Sequence, residues 1–162
     1  MNATIRPARP ADVPAIANLI RELAVYEKLE DQAKATADHL TRHLFGDRPA
    51  AEVILAELAG EPVGYALFFA TFSTFRGQPG LFLEDLFVLP DHRGRGIGKA
   101  LLVEVARIAV DRECGRLEWS VLDWNAPSIA FYRSQGAVPM DEWTIFRVAD
   151  MALTELAGKN RR

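Results

Sequence analysis

"LFLEDLFVLPDHRGRGIGKALLVEVARIAV", residues 81–110, changes its periodicity in the middle. The first nine residues form an apolar run broken only by Glu84 and Asp85, the pattern of a buried strand. After Pro90, apolar Ile97, Leu101, Val105 and Ile108 recur every three or four residues, predicting a helix from Gly96 to about Glu113. The join holds Gly94, Gly96 and Gly98 interleaved with Arg93, Arg95 and Lys99. A helix N-terminus leaves backbone N–H groups unpaired and carries the positive end of the helix dipole, so it attracts anions. Glycines let a bulky anion approach the main chain, and the cations add charge around it, so a phosphate or pyrophosphate is the expected guest. Neither the GK[ST] of a P-loop nor the G-x-G-x-x-G dinucleotide spacing is present. Taken alone, the stretch also suits a turn whose glycines serve geometry and whose arginines are simply solvated.

Outward from this join, the chain alternates in a mixed pattern. "TIRPA" predicts a short strand, and "PADVPAIANLIRELAVYEK" a helix with Val13, Ile16, Ala17, Ile20, Leu23 and Ala24 on one stripe. Thr36 is placed to cap a second helix through about Leu44. "AEVILAEL", "VGYALFFATFST" and "LFLEDLFVL", separated by "AGEP" and "FRGQPG", predict a meander of strands. Beyond the central helix come a strand in "GRLEWSVLD", a helix in "APSIAFYRSQG" stopped by Gly136, a final strand in "WTIFRV" and a helical tail with Met151 and Leu156. The expected class is α/β (α+β), its first half antiparallel and its second strand-helix-strand-helix.

At 162 residues the chain suits one domain, residues 1–162, with a core large enough to dispense with disulfides or metals. A net charge of -3 carries no basic footprint, so a nucleic-acid partner is not expected. Cys114 is the only cysteine, which excludes an intrachain disulfide and favours a reducing compartment. "MNATIRPARPADV" lacks the apolar run of a signal peptide, and no stretch approaches the roughly 20 apolar residues needed to cross a bilayer. A cytoplasmic protein with no membrane partner is expected. His39 and His43 stand four apart, but no third ligand is evident, so no metal is expected.

"LEDLFVLPDHRGRGIGKALL" resembles the coenzyme A loop of the GNAT superfamily of N-acetyltransferases, whose arginine and two glycines match Arg93, Gly96 and Gly98. "ELAVYEKLEDQ", "GYALFFATFSTFRGQPGLFLEDLFV" and "VLDWNAPSIAFYRSQGA" extend the resemblance to the spermidine/spermine (diamine) and thialysine N-acetyltransferase branch, over most of residues 5–137. It implies a mostly antiparallel twisted sheet with helices on both faces and a splayed parallel pair, residues 81–89 and 116–122. The implied cosubstrate is acetyl-CoA. Its pyrophosphate would lie on the N–H groups of Gly94, Arg95, Gly96, Ile97, Gly98 and Lys99, beside Arg93. The main chain of Leu86, Phe87 and Val88 would hold the pantetheine arm, with Asn125, Ala126, Pro127 and Ser128 on the other side. The resemblance also implies a homodimer.

Acetyl transfer to an amine requires a neutral nucleophile, yet an alkylamine with a pKa near 10.4 is mostly protonated at neutral pH. Glu84 is the expected base. Strand alternation sends Asp85 to the opposite face, where a structural role is expected. Tyr132, matching the family's tyrosine in "PSIAFY", would protonate the leaving thiolate; by residue type alone Phe131 and Tyr132 also suit a core pair. Tyr26 and Glu27, with Glu84, match the branch's substrate-facing residues, and Glu30 and Asp31 would widen the acidic field; all four helix-end residues also suit a solvated surface. The expected reaction is direct acetyl transfer to a primary amine of a small di- or polyamine or a lysine-like amino acid. The alternatives are another amine, such as a protein N-terminus or an aminoglycoside, and a non-catalytic acetyl-CoA sensor. Only "VPMDE" separates Ala137 from Trp143, shorter than in the animal diamine enzymes, so the acceptor carries over less securely than the cosubstrate.

Overall fold

Val53, Ile54, Leu55 and Ala56 are consecutive and all buried, so the strand that holds them must be covered on both faces. The computed structural model describes residues 3–159. The chain divides after Ser120 into two compact units. The first contains a five-stranded sheet in sequential order: β1 (Thr4–Pro7), β2 (Glu52–Leu58), β3 (Glu61–Ser73), β4 (Gln78–Val88) and β5 (Leu117–Trp119). Every pairing is antiparallel except β4 with β5.

Helix α1 (Val13–Glu27) turns Val13, Ile16 and Leu19 inward, against Val53, Leu55, Tyr65 and Phe87. Leu40 of α2 (Ala37–Phe45) joins the same cluster. Thr36 caps α2, its hydroxyl accepting from His39 N at 3.2 Å, while His39 Nδ1 accepts from Thr36 N at 3.4 Å. His39 thus completes a cap instead of facing His43. The opposite face carries Ile54, Ala66, Phe68, Leu81 and Leu83, and α3 (Ile97–Asp111) lies over it with Ile97, Leu101 and Val105 buried. Each of these large apolar side chains contributes about 1.5–3 kcal/mol on leaving water, so the two-sided burial is the main source of stability here. An ion-pair cluster closes the edge: Arg6 of β1 binds Asp12 at 2.8 and 2.9 Å and also Glu57 of β2.

The second unit contains α4 (Ala126–Ser134) and α5 (Asp150–Gly158). Two expectations are corrected. The strand expected over residues 116–122 is only Leu117–Trp119, and "WTIFRV" is not a strand. Its apolar side chains are exposed, Phe146 at 91% and Ile145 at 75%. A strand exists through its ladder, and the described residues of this unit supply none to pair with.

Gly64 sits where β3 comes closest to β4: an added Cβ would lie 2.7 Å from the Phe87 carbonyl oxygen and 3.1 Å from the Val88 side chain. Neither strand can yield without opening the ladder. Gly64→Ala is expected to destabilise the protein by about 1–3 kcal/mol, the range of an overpacked core. Urea unfolding should show a lower midpoint at an unchanged slope.

Candidate active site

The chain leaves the sheet at the end of β4 and re-enters regular structure at α3, and every bond in between serves a tight return. Leu89 N donates to Val63 O at 2.9 Å, and a single 3-10 turn, Pro90–His92, follows. Arg93 then folds back: its Nε donates to Val88 O at 2.8 Å, and its guanidinium lies 4.5 Å from the Tyr26 ring centre and 5.3 Å from that of Phe87. Its first task is therefore to fasten the loop to the end of β4 and to α1. Gly94 and Gly96 have φ of +73° and +77°, which side chains with a Cβ rarely adopt, and Gly96 is the N-cap of α3. A Cβ at either would meet nothing within 4 Å, so these glycines serve the backbone turn and an open face, not packing. Among the described residues, the N–H groups of residues 94–99 have no hydrogen-bond partner. Exposed Arg95 and Lys99 stand on the same turn. The result is a cationic array of backbone donors at the positive end of α3.

Beside this array, β4 has a half-open edge. Its parallel pairing with β5 covers Leu81, Leu83 and the residue between them, then stops. Residues 84–88, which include Leu86, Phe87 and Val88, continue with β3 on one side and no described strand on the other.

The pairing with β3 also slips at this point. Leu67 opposes Asp85 but Phe68 opposes Leu83, so Glu84 is an extra residue, a β-bulge. The alternation expected to separate Glu84 from Asp85 is interrupted there. Asp85 shares the face of Tyr65 and Leu67, and the hydroxyl of Tyr65, fully buried, donates to Asp85 Oδ2 at 2.9 Å. Burial, with added repulsion from Glu84 and Glu27, pushes the Asp85 carboxyl up to about 6, against the opposing pull of the Tyr65 hydrogen bond. Burial and the charges of Asp85, Glu27 and Glu84 hold the Tyr65 phenol well above its ordinary range. Glu27, the last residue of α1, is raised by burial. Glu84 is exposed, as are Glu30 and Asp31, while Tyr26 is half-buried with its ring 6.4 Å from Phe87. Among the described residues, Glu27, Glu84 and Asp85 form no salt bridge. Asp85 and Tyr65 were not anticipated, because the register slip that brings them together depends on the neighbouring strand.

In the second unit, Asn125 is buried and is the N-cap of α4, its Oδ1 accepting from Ser128 N at 3.3 Å. Pro127 occupies the first turn, where its missing N–H costs nothing, and Ala126 is exposed. Tyr132 follows one turn after Ser128, half-buried, its ring 5.3 Å from that of Phe131. Gly136, at φ +88°, ends the helix.

The raised Asp85 carboxyl has a consequence for stability. The folded chain keeps that proton up to about pH 6, whereas an unfolded carboxyl loses it near 3.8, so the folded state binds more protons in between. Stability from this group is complete below about pH 4 and is lost as pH rises towards 6. Asp85→Asn should flatten that fall in a series of urea titrations from pH 4 to 7, and a slope equal to the parent's would contradict the assignment.

Comparison with known proteins adds four findings. The Acetyltransferase (GNAT) family model matches residues 17–137. The thialysine N-epsilon-acetyltransferase of Bos taurus is 41% identical over 166 residues, covering 96% of this chain and 97% of the relative. The spermidine/spermine N(1)-acetyltransferase-like protein 1 of Homo sapiens is 34% identical over 163 residues, covering 94% of this chain and 23% of that longer protein. Among solved structures, an integron cassette protein from the mobile metagenome of V. cholerae aligns with a TM-score of 0.83 at 27% identity, over 98% of this chain and 99% of that chain.

Proposed function

The chain belongs to the Acetyltransferase (GNAT) family and is an amine N-acetyltransferase, and from that premise we propose that it uses acetyl-CoA to acetylate a small amine directly. The acceptor is the primary amine of a lysine-like amino acid or of a di- or polyamine. The observation that carries this reading is the placement of six amides, residues 94–99, with no partner among the described residues, at the N-terminus of α3 beside the open stretch of β4. A diphosphate suits that array: Gly94 and Gly96 leave its face clear, and Arg95 and Lys99 supply charge. The main chain of Leu86, Phe87 and Val88 would hold the pantetheine arm. By the family resemblance, Asn125, Ala126, Pro127 and Ser128 are further proposed cosubstrate contacts, and Arg93 keeps the loop in place. When bound, acetyl-CoA supplies an activated acetyl thioester.

The remaining chemistry is proton management. Glu84 is the proposed base for the incoming ammonium, and Tyr132 the proposed donor to the departing thiolate. Tyr26 and Glu27 would line the acceptor side. The names of two relatives, one for thialysine and one for spermidine and spermine, support an alkylamine acceptor, as do carboxylates with no cation paired to them. We further propose a single catalytic domain, supported by a family match over residues 17–137 that crosses the boundary after Ser120, and a cytoplasmic homodimer with no metal. The exposed apolar run around Ile145 and Phe146 supports self-association, and sedimentation analysis would test it.

Three measurements test the reading. With a panel of amines and acetyl-CoA, mass spectrometry should find acetylated thialysine or diamine. Turnover only with peptides or aminoglycosides would move the acceptor class, and tight acetyl-CoA binding without any transfer would make the protein a sensor. Tyr132→Phe should lower kcat by about 10-fold to 10,000-fold with acetyl-CoA affinity nearly unchanged, as expected for loss of acid-base help. Gly96→Asp should instead weaken acetyl-CoA binding in calorimetry, because it sets a carboxylate at the anion cradle and a Cβ at φ +77°.

A further inference from the structure

A carboxylate next to two other carboxylates, hydrogen-bonded by a fully buried phenol, is a costly thing to keep in a sheet that could hold leucine there. Asp85 is such a group. The charged and titratable groups acting on it are Tyr65 from β3, Glu84 from its own strand and Glu27 from the end of α1, and all three are acidic. The nearby cation of the loop, Arg93, is engaged with the Val88 carbonyl and the rings of Tyr26 and Phe87. Asp85 is half-buried, and only its Oδ2 accepts a hydrogen bond from the described residues. The other oxygen is left for something else. Structural need alone does not explain this arrangement, since an Asn would satisfy the Tyr65 hydroxyl without a buried charge.

We infer that Asp85 is a second proton acceptor of the amine site, with Tyr65 as its positioning residue. This rests on the proposed amine acetyltransferase reading and deepens it. Glu84, exposed on the bulge, meets the incoming alkylammonium, and Asp85 stands next to it on the strand, more shielded from water. In the transfer, one N–H bond of the ammonium breaks and its electron pair stays on nitrogen, leaving a neutral amine. The proton is taken first by Glu84 and handed on: the O–H bond on Glu84 breaks as a new O–H bond forms on Asp85, which goes from carboxylate to carboxylic acid and later releases the proton to solvent. The Asp85 carboxyl lies at about 6, close enough to neutrality to accept and return a proton in each cycle. Tyr65 pins one oxygen so that the other keeps a fixed direction, and its hydrogen bond favours the charged form of Asp85.

The test compares Tyr65→Phe, Asp85→Asn and Glu84→Gln with the parent protein. Tyr65→Phe keeps the ring that fills the core and deletes only the hydroxyl. It should move the acidic limb of the kcat/KM profile up by about one pH unit, the scale of one lost hydrogen bond to a charge, which lowers kcat/KM by about 10-fold near pH 5 and about 2-fold at pH 7. Asp85→Asn should remove that limb. A merely structural Tyr65 would lower thermal stability without moving the limb. The inference falls if the limb survives both substitutions and disappears only in Glu84→Gln.

A second readout needs no turnover. In carbon-detected NMR of the parent protein, adding 1,3-diaminopropane should lower the titration midpoint of the Asp85 carboxyl, because an ammonium stabilises its charge. Tyr65→Phe should raise that midpoint. Movement of Glu84 alone would overturn the role of Asp85, even if no acetylated product is found. Absence of product from every amine, with the Asp85 midpoint still responding to the diamine, would instead count against the acetyltransfer reading and leave the amine-binding carboxylate supported.

Discussion

One strand carries two incompatible obligations, and the architecture of the first unit follows from how it meets them. β4 pairs with β3 along nearly its whole length but with β5 only as far as Leu83. Up to Leu83 it is an interior strand; from Glu84 to Val88 it is an edge. A backbone edge cannot be left beside a dry core, because unpaired N–H and C=O groups are costly away from water. It can be left where a ligand backbone is to be received. The bulge at Glu84 marks the transition, where the strand bends and its side chains are re-aimed.

The loop that follows is held by a small set of bonds with distinct purposes. Arg93 closes it against the Val88 carbonyl and two aromatic rings, which frees Arg95 and Lys99 to face solvent. Positive φ at Gly94 and Gly96 turns the chain into the first turn of α3 with its amides pointing outward. The helix itself is anchored by Ile97, Leu101 and Val105, all buried on the sheet, so the amides sit on a rigid element. The attraction of such an array for anions is electrostatic and depends on backbone direction more than on any one side chain.

Much of this was legible in advance. The period change around Pro90, the glycine positions and the apolar run in "EVILAEL" are local signals, and each element they predict is present, with ends that move by a few residues. The helix cap at Thr36 was legible for the same reason, since capping bonds reach only three residues along the chain. The failures are all nonlocal. "WTIFRV" has the composition of a strand but no partner in its unit. The end of β5 at Trp119 is decided by where β4 diverges. The contact of Asp85 with Tyr65 was not foreseen because alternation counts residues along one strand, whereas a bulge is a mismatch between two.

By itself, the sequence determined the class of the fold, the entry to α3 and the chemistry available there, because helix periodicity, glycine freedom and fixed charge are properties of short segments. The tertiary structure alone decided which hydroxyl holds Asp85 and how far β4 stays paired. Those depend on register between strands that are distant in sequence, and a shift of one residue at Glu84 changes which side chain meets Tyr65.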